Sequence, residues 1–529
     1  MTTVVRESAA TPMRLGGWSL YFLAKFLLYW RDLIGFHPLE NLAFAAFLAV
    51  PIRSRKWHLC RTVAAIPVAI VLLYHDSRLP PFDRLLSQSN LVTSFSGTYL
   101  LELAGRLINV EIVALLVLAW AITRLASRYL RVGALVMSVL AFQAMQVGAL
   151  ESPVVVSAAS GTVASASGKE DPEAVLRAFY PAEAQRKVAL PMPEAGSTPF
   201  DIVILHICSL SWDDLKTSGL DTHPFWQRMD FVFHHFNSAS SYSGPAAIRI
   251  NRALCGQSAH AALYQSTSAD CYLMPGLRKA GFAPNFAMNH DGHFDDFLET
   301  LRAQGQDAPL QTLAGTPMPQ RAFDGSPIYD DNAVLSHWID ARGRDASPRV
   351  ALYYNSISLH DGNRIVSGPS SGLSSAASYK YRLGKLLDDL DTFLQQLQRS
   401  GRRVVVMVVP EHGAAIRGDR YQFAGLRDIP TPRITSVPVG VAVVGPEAKR
   451  TGAQVKVDQP TSYLALSQLM ALMLKKPPFD PAGFDPDQYA QGLPQTRHVT
   501  ENDAASVIFT GNGYMMRQGK DAWEAYPAD

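Results

Sequence analysis

Apolar residues are concentrated in the first 150 positions of this 529-residue chain, and that uneven distribution restricts the possible folds more than any other feature. Five stretches have the composition of membrane-spanning helices: WSLYFLAKFLLYW, ENLAFAAFLAVPI, VAAIPVAIVLLY, INVEIVALLVLAWAI and VGALVMSVLAFQAMQVGAL. Several are shorter than the roughly 20 apolar residues of a typical span, and Lys25 and Glu111 lie within two of them, so a buried soluble core is the alternative. We interpret residues 1–150 as a transmembrane domain of about five helices.

Basic residues between these stretches predict the orientation of the chain. Arg6 and Arg14 precede the first stretch, RSRKWHLCR lies between the second and third, and RLASRYLR lies between the fourth and fifth. Since Lys and Arg are retained in cytoplasmic loops, these segments indicate a cytoplasmic N-terminus and place everything after about residue 150 outside the cytoplasm. Residues 78–106 mix apolar and polar side chains, and we expect them to lie along the outer membrane interface.

Two further segments follow the apolar part. Residues 151–198 are rich in Ala, Ser, Gly and Pro, which is the composition of a linker. In residues 199–529, helical segments alternate with short β-rich runs: FDIVILHIC, FVFHHF, PNFAMNH, RVALYYNSIS, RRVVVMVVP and VPVGVAVVG. This alternation predicts an α/β domain with a mostly parallel sheet that is covered by helices on both faces.

The cysteines fit an exported domain. Cys60 lies in a basic cytoplasmic loop and Cys208 stands alone, whereas Cys255 and Cys271 are close together in the exported part. Because disulfides persist outside the cytoplasm, we predict a bridge between Cys255 and Cys271. Two free buried thiols are the alternative.

Side chains that can bind a metal or attack phosphorus follow several of the β-rich runs. They are Cys208, Ser243, His360, Glu411 and His412. Taken singly, each has an ordinary structural interpretation, such as a small buried thiol, a loop histidine or a polar turn before a glycine. Ligands collect at the carboxyl ends of the strands in such folds, and a thiolate, a hydroxyl, a carboxylate and an imidazole together suit four-coordinate zinc. The thiolate favours zinc over magnesium or calcium.

The serine-rich loop NSASSYSGPAAIR has two interpretations. A Ser or Gly before a Pro is an ordinary start of a helix. A helix N-terminus also offers backbone N–H groups and a positive dipole end to a phosphoryl group, so a serine placed there is suited to attack phosphorus. Ser243, directly before Gly244 and Pro245, is the candidate nucleophile.

These motifs resemble a known superfamily. The ending VVPEHG, the hydroxyl at a helix start in SYSGPAAIR and a ligand directly after the first strand are together similar to the alkaline phosphatase and sulfatase superfamily. Five N-terminal spans, a linker and an exported domain of this type resemble the phosphoethanolamine transferases. Within that group, the motifs most similar to the cellulose-modifying transferases are ICSLSWDDL, SYSGPAAIRINRALCGQ, MNHDGHF, SLHDGNR and VPEHGAAIRGDR.

The resemblance implies a set of site residues. The positions that match the zinc site of the family are Cys208, Ser243, Glu411 and His412, with Ser243 as the nucleophile. The positions that match neighbouring active-site residues are His360, Tyr242 and Arg427.

The resemblance also implies a reaction and a location. The reaction is zinc-dependent transfer of phosphoethanolamine from phosphatidylethanolamine to the glucose 6-hydroxyl of cellulose, through a phosphoethanolamine-serine intermediate. The implied partners are membrane lipid and the bacterial cellulose synthase complex, and the implied location is the bacterial inner membrane with a periplasmic catalytic domain. A formal net charge of +2 argues against a nucleic-acid partner.

Departures from the superfamily pattern narrow the possibilities. The lipid A transferases have a Glu after the first strand and a Thr nucleophile, where this chain has Cys208 and Ser243. Sulfatase maturation needs an Arg where Ala247 stands, so a sulfatase is disfavoured. The alternatives are a phosphatase or phosphodiesterase of the same fold, and a non-catalytic membrane assembly factor whose hydrolase domain is inactive.

The predicted orientation is testable with reporter fusions. A reporter joined at Trp57 is expected to be cytoplasmic, and one joined at Asn90 is expected to be outside, because all the basic segments then face inward. Fluorescence and alkaline phosphatase activity of the two fusions show on which side of the membrane each fusion point lies. The reverse pattern would overturn the export of the C-terminal part.

Overall fold

A computed structural model of the chain describes residues 15, 17–31, 34–52, 54–77, 95–107, 110–126, 131–150, 170–519 and 521–527. The chain divides into two compact units, Met1–Leu86 with Leu103–Ala166, and Ser87–Glu102 with Ser167–Asp529. Arg6, Arg14 and residues 151–169 of the predicted linker lie outside the described residues.

The first unit is helical in its described part. Its helices are Trp18–Trp30, Pro38–Ala49, Arg55–Asp76, Val110–Ala126 and Val132–Leu150. Helix Gly97–Leu107 contains the boundary between the two units. Four of these helices pack against one another through aromatic and aliphatic side chains, among them Phe22, Phe44, Leu48, Leu72 and Leu140.

Each of the five apolar stretches contains a helix, but these helices differ in length. Among the described residues, Arg55–Asp76 is the one helix long and apolar enough to cross a membrane. Trp18–Trp30 has 13 residues, which rise about 20 Å, whereas a bilayer core is about 30 Å thick. The helical nature of the apolar part is therefore confirmed, and its five-span topology stays a prediction.

The second unit contains all the strands among the described residues. They are β1 Asp201–Ile207, β2 Phe231–Asn237, β3 Ala283–Met288, β4 Gln320–Arg321, β5 Pro327–Ile328, β6 Val350–Ser356, β7 Arg364–Ile365, β8 Val404–Pro410, β9 Ser436–Val444, β10 Val455–Val457, β11 Val499–Glu501, β12 Ala505–Phe509, β13 Tyr514–Gln518 and β14 Glu524–Tyr526. Seven form the central sheet in the order β10-β2-β9-β8-β1-β6-β3. Two smaller sheets have the orders β11-β12-β13-β14 and β5-β4-β7.

The central sheet is mixed. Strand β1 is parallel to both β6 and β8, β3 is parallel to β6, and β10 is parallel to β2. Strand β9 is antiparallel to both β8 and β2. The α/β fold is confirmed. One correction concerns the run VPVGVAVVG, which forms β9 and is antiparallel to both of its neighbours. A continuous apolar run carries no information on strand direction, because both faces are buried in either case.

Helices cover both faces of this sheet. The described helices of the second unit are Pro172–Glu183, which packs on the small sheet at β11 and β12, and Trp212–Ser218, Pro224–Gln227, Ser243–Asn251, Leu273–Lys279, Phe297–Ala303, Asp331–Arg344, Ser375–Ser400, Pro432–Thr435, Tyr463–Lys475 and Asp487–Ala490, with 3-10 turns at His260–Tyr264, Ala269–Cys271 and Phe294–Asp296. Successive side chains of β1 enter opposite cores: Ile204 packs in the cluster that contains Leu469, and Leu205 packs in the cluster that contains Leu387. Both faces of the sheet are therefore buried, as the alternation of runs and helical segments predicts.

The disulfide between Cys255 and Cys271 is present, with Cα atoms 5.0 Å apart. It joins the end of the segment after helix Ser243–Asn251 to the turn before helix Leu273–Lys279. Cys60 and Cys208 are free, the first exposed and the second buried. The pairing predicted from the sequence is confirmed.

Replacement of Cys255 and Cys271 by Ser is expected to lower the free energy of unfolding by about 3 kcal/mol, because the bridge closes a loop with a sequence separation of 16 residues. Chemical denaturation followed by tryptophan fluorescence measures the change. Cys60→Ser is the matched control, since that thiol is exposed and unpaired, and it should leave the unfolding midpoint unchanged. An equal effect of both replacements would contradict a stabilising role for the bridge.

Candidate active site

Three parallel strands bring the predicted ligands to one edge of the central sheet. Strands β1, β6 and β8 end in register, with Ile207 beside Ser356 and beside Pro410. The Cys208 N–H donates to the Ser356 carbonyl at 2.9 Å, and the Glu411 N–H donates to the Ile207 carbonyl at 2.8 Å. The ladder therefore continues one residue past the strands and fixes the backbone of Cys208 and Glu411.

Ser243 reaches the same edge of the sheet from the start of a helix that follows strand β2. It is the first residue of helix Ser243–Asn251, and Tyr242 is the N-cap residue in an extended conformation. The Ser243 Oγ lies 3.2 Å from His412 Nε2 and 3.4 Å from Cys208 Sγ. The structure thus brings together the nucleophile and two of the zinc ligands that the sequence predicts.

Glu411 completes the cluster and is fully buried. Its Oε1 accepts a hydrogen bond from Asn355 Nδ2 at 2.7 Å. Its Oε2 has no hydrogen-bond partner among the described residues and lies 3.8 Å from His412 Nε2. A buried carboxylate oxygen without a partner is costly, so this atom is suited to bind a cation.

The donor set fits a zinc ion. Cys208 Sγ, a carboxylate oxygen of Glu411 and a ring nitrogen of His412 lie within 4.8 Å of one another. Burial raises the pKa of the Cys208 thiol to about 12 and the pKa of the Glu411 carboxyl to about 7. A bound cation lowers both pKa values, because it stabilises the anionic forms. One sulfur, one imidazole and one carboxylate, with a hydroxyl beside them, suit tetrahedral zinc.

The orientation of His412 leaves its Nε2 facing the cluster. Its Nδ1 lies 2.9 Å from the Gly413 carbonyl, so we assign the ring proton to Nδ1 and the lone pair to Nε2. Burial and the charge of Arg427 lower the pKa of His412 well below its usual value, which keeps the ring neutral. Gly413 is required here, since a Cβ atom would lie 2.6 Å from Ser211 Oγ and 2.9 Å from Asp214 Oδ2.

Arg427 and Tyr242 lie beside the candidate metal-binding cluster. Arg427 Nη1 donates to Ser209 Oγ at 3.1 Å and lies 3.2 Å from His412 Nδ1. Its guanidinium group is 5.8 Å from the centroid of the Tyr242 ring. The Tyr242 hydroxyl reaches Asp428 Oδ1 at 3.5 Å. A guanidinium group at this position is suited to bind phosphoryl oxygens.

His360 lies at the rim of the same edge. Its Nδ1 is 2.6 Å from the Asp361 carbonyl, and its ring contacts the Phe323 ring in a tilted arrangement with centroids 5.1 Å apart. Burial, with the charge of Arg427, lowers the pKa of His360 to about 4. His360 also contributes to the lowered pKa of His412, so the two rings are within electrostatic range. A neutral His360 is suited to accept a proton at neutral pH.

Asn355, the residue that orients Glu411, is not among the site residues predicted from the sequence. Its Nδ2 donates to Glu411 Oε1 and its Oδ1 lies 2.8 Å from His290 Nε2, so both ends of the amide are fixed. Asn355 belongs to strand β6 and is fully buried. The one available signal was an amide inside the apolar run RVALYYNSIS, since a buried polar side chain needs partners.

Residues 95–102, which precede the fourth apolar stretch, make a contact that was not predicted from the sequence. The Tyr99 hydroxyl donates to Asp361 Oδ2 at 3.0 Å, and the Tyr99 ring packs at 6.1 Å from Phe323, the ring that contacts His360. This segment therefore supports the loop of His360. Such a contact spans 262 positions of sequence, and no local pattern indicates it. Residues 78–94 of the predicted interfacial segment lie outside the described residues.

Comparison with known proteins identifies the family. A family model described as the C-terminal domain of cellulose biosynthesis protein BcsG matches residues 156–523, and one described as its N-terminal domain matches residues 18–145. The cellulose biosynthesis protein BcsG of Escherichia coli is 40% identical to this chain, covering 97% of the chain and 96% of that protein. The protein of the same name from Salmonella typhimurium is 41% identical, with the same coverage. The chain belongs to the family of cellulose biosynthesis protein BcsG.

Solved structures of similar architecture are more distant. A protein in the alkaline phosphatase superfamily from Vibrio parahaemolyticus is 15% identical, covers 68% of this chain and 92% of its own, and has a TM-score of 0.46. The C-terminal periplasmic domain of EcEptC from Escherichia coli, in complex with Zn, is 14% identical, covers 59% and 94%, and has a TM-score of 0.40. The soluble domain of lipooligosaccharide phosphoethanolamine transferase A from Neisseria meningitidis is 13% identical, covers 54% and 93%, and has a TM-score of 0.39.

Asn355→Ala is expected to lower zinc affinity and activity by about 10- to 100-fold, because it removes the hydrogen bond that orients Glu411. Zinc affinity is measured by competition with a chromophoric chelator. Asn332→Ala is the matched control, since Asn332 Oδ1 accepts a weak 3.4 Å hydrogen bond from Gln396 on a neighbouring helix. Unchanged affinity in Asn355→Ala would show that Glu411 does not depend on this amide.

Proposed function

We propose that this chain is a zinc-dependent transferase that moves phosphoethanolamine from phosphatidylethanolamine to the glucose 6-hydroxyl of cellulose. The observation that carries the proposal is the position of Ser243 Oγ, 3.2 Å from His412 Nε2 and 3.4 Å from Cys208 Sγ, at the N-terminus of a helix. The resemblance of the motifs to phosphoethanolamine transferases supports the donor. The relatives named as cellulose biosynthesis proteins support the acceptor.

The residues that would hold the zinc ion are Cys208, Ser243, Glu411 and His412. When bound, zinc supplies positive charge that favours the deprotonated forms of a thiol and a hydroxyl. The buried Glu411 Oε2, which lacks a hydrogen-bond partner among the described residues, supports its part in this set.

The first step loads the nucleophile. Ser243 Oγ forms a bond to the phosphorus of the lipid, and the bond from that phosphorus to the diacylglycerol oxygen breaks. The proton lost by Ser243 ends on the diacylglycerol oxygen, and phosphoethanolamine remains on Ser243. The positive end of helix Ser243–Asn251 and the guanidinium group of Arg427 stabilise the charge on the phosphoryl oxygens.

The second step transfers the group to the sugar. The 6-hydroxyl oxygen of a glucose unit forms a bond to the same phosphorus, and the bond from phosphorus to Ser243 Oγ breaks. We assign His360 as the base that takes the proton of the sugar hydroxyl, because its lowered pKa of about 4 keeps it neutral and able to accept. The proton then passes to Ser243 Oγ, which restores the starting state.

The proposed location follows from the donor, which is a membrane lipid. We propose an inner-membrane protein with a transmembrane domain of about five helices in residues 1–150, a linker in residues 151–198 and a periplasmic catalytic domain in residues 199–529. The N-terminus is cytoplasmic in this topology. The cellulose synthase complex is the proposed partner, because it would deliver the acceptor chain to the same side of the membrane.

Ser243→Ala and Cys208→Ala are expected to have different effects on zinc and on the covalent intermediate. Loss of the Cys208 thiolate removes the softest ligand, so zinc content and activity both fall. Ser243→Ala keeps Cys208, Glu411 and His412, the three-ligand arrangement of a catalytic zinc, so it keeps most of its metal and forms no phosphoethanolamine adduct.

Elemental analysis and intact mass after exposure to phosphatidylethanolamine measure the two effects. Ser241→Ala is the matched control, since Ser241 belongs to the same loop and its Oγ accepts a hydrogen bond from Asn502 Nδ2 at 3.2 Å. It should keep both the metal and the adduct. A phosphoethanolamine mass on Ser243→Ala would show that another residue is the nucleophile.

A further inference from the structure

We propose a second metal site in the first unit, formed by His37, Glu40 and His75. In space, the start of helix Pro38–Ala49 lies beside the end of helix Arg55–Asp76. His37 and Glu40 therefore lie close to His75. Ligand atoms of the three side chains lie within 4.8 Å of one another. Two imidazoles and one carboxylate form a set that suits zinc and similar transition ions rather than magnesium or calcium.

A buried carboxylate fixes the orientation of His37. Asp76 Oδ1 lies 2.6 Å from His37 Nδ1 and accepts the His37 backbone N–H at 3.2 Å. The Asp76 side chain is fully buried. Histidines that bind metals commonly donate one ring N–H to a carboxylate while the other nitrogen binds the ion. His37 has this arrangement, with its Nε2 left to act as the ligand.

The charge on Asp76 is balanced without His37. Lys25 forms an ion pair with Asp76, and Asn41 Nδ2 donates to Asp76 Oδ2 at 2.8 Å. Lys25 Nζ also donates to Asn41 Oδ1 at 2.7 Å. Asp76 therefore has two further partners, which hold its carboxylate in place beside the His37 ring.

The other two ligands are exposed and adjacent. His75 Nε2 lies 3.2 Å from Glu40 Oε2, and each of these side chains is 53% exposed. The His37 and His75 rings stack with centroids 4.3 Å apart. Because the His75 and Glu40 side chains are both exposed, an ion held by the three ligands would keep room for water or an anionic group.

The test is the metal content of the full-length chain in detergent, after removal of metals by a chelator and equilibration with zinc. His75→Ala and Glu40→Gln are each expected to lose about one equivalent of zinc relative to the unaltered chain. His58→Ala is the matched control, because His58 is exposed near the other end of the same helix, and it should lose none. Circular dichroism and the elution volume verify that the variants are folded.

Cobalt separates this site from the one at Cys208. In a Cys208→Ala background, about one equivalent of cobalt should remain bound without a thiolate-to-cobalt charge-transfer band, and His75→Ala in that background should remove it. The single variant Cys208→Ala and the double variant with His75→Ala both lack Cys208. The difference in their cobalt content therefore does not depend on whether Cys208 binds metal. Equal metal content in the unaltered chain, His75→Ala and Glu40→Gln would overturn the proposal.

Discussion

The parallel pairing of strands β1, β6 and β8 is the constraint on which the candidate active site depends. Because these strands end at one edge, Cys208 and Glu411 follow the ends of adjacent strands and lie side by side. Asn355, on strand β6, donates a hydrogen bond to Glu411. Ser243 joins them from the start of a helix. The site is thus made by backbone register, and burial makes its charges costly unless a cation is present. The burial of these side chains therefore favours a bound cation at this edge of the sheet.

The sequence predicts the sheet well where a pattern is local. The runs that became β1, β2, β3, β6 and β8 are each bounded by turns or helical segments, and each is a strand in the structure. The direction of β9 was not predictable, since Val439 and Val441 would be buried in either orientation. The small sheet β11–β14 was missed because its strands are only three to five residues long. Long-range pairing decides both features.

The candidate site was predictable to the extent that its residues follow strands. Cys208, Ser243, Glu411 and His412 were found because their chemistry is unusual at strand ends, and the structure brings them within contact of one another. Asn355 was not found, because an amide has many ordinary roles and only its partner reveals this one. The cluster of His37, Glu40 and His75 was missed for a similar reason, since two helix ends had to be brought together first. In each group a second residue orients one of the ligands, Asn355 for Glu411 and Asp76 for His37.

Analysis of cellulose from cells that produce this protein tests the central claim most directly. Purified cellulose is digested and its glucose units are examined by mass spectrometry for phosphoethanolamine. The account predicts the modification at the 6-hydroxyl in cells with the unaltered protein and its absence in cells with Ser243→Ala, at equal protein levels. Unmodified cellulose together with free phosphoethanolamine and diacylglycerol would contradict it, because that result would make the protein a hydrolase.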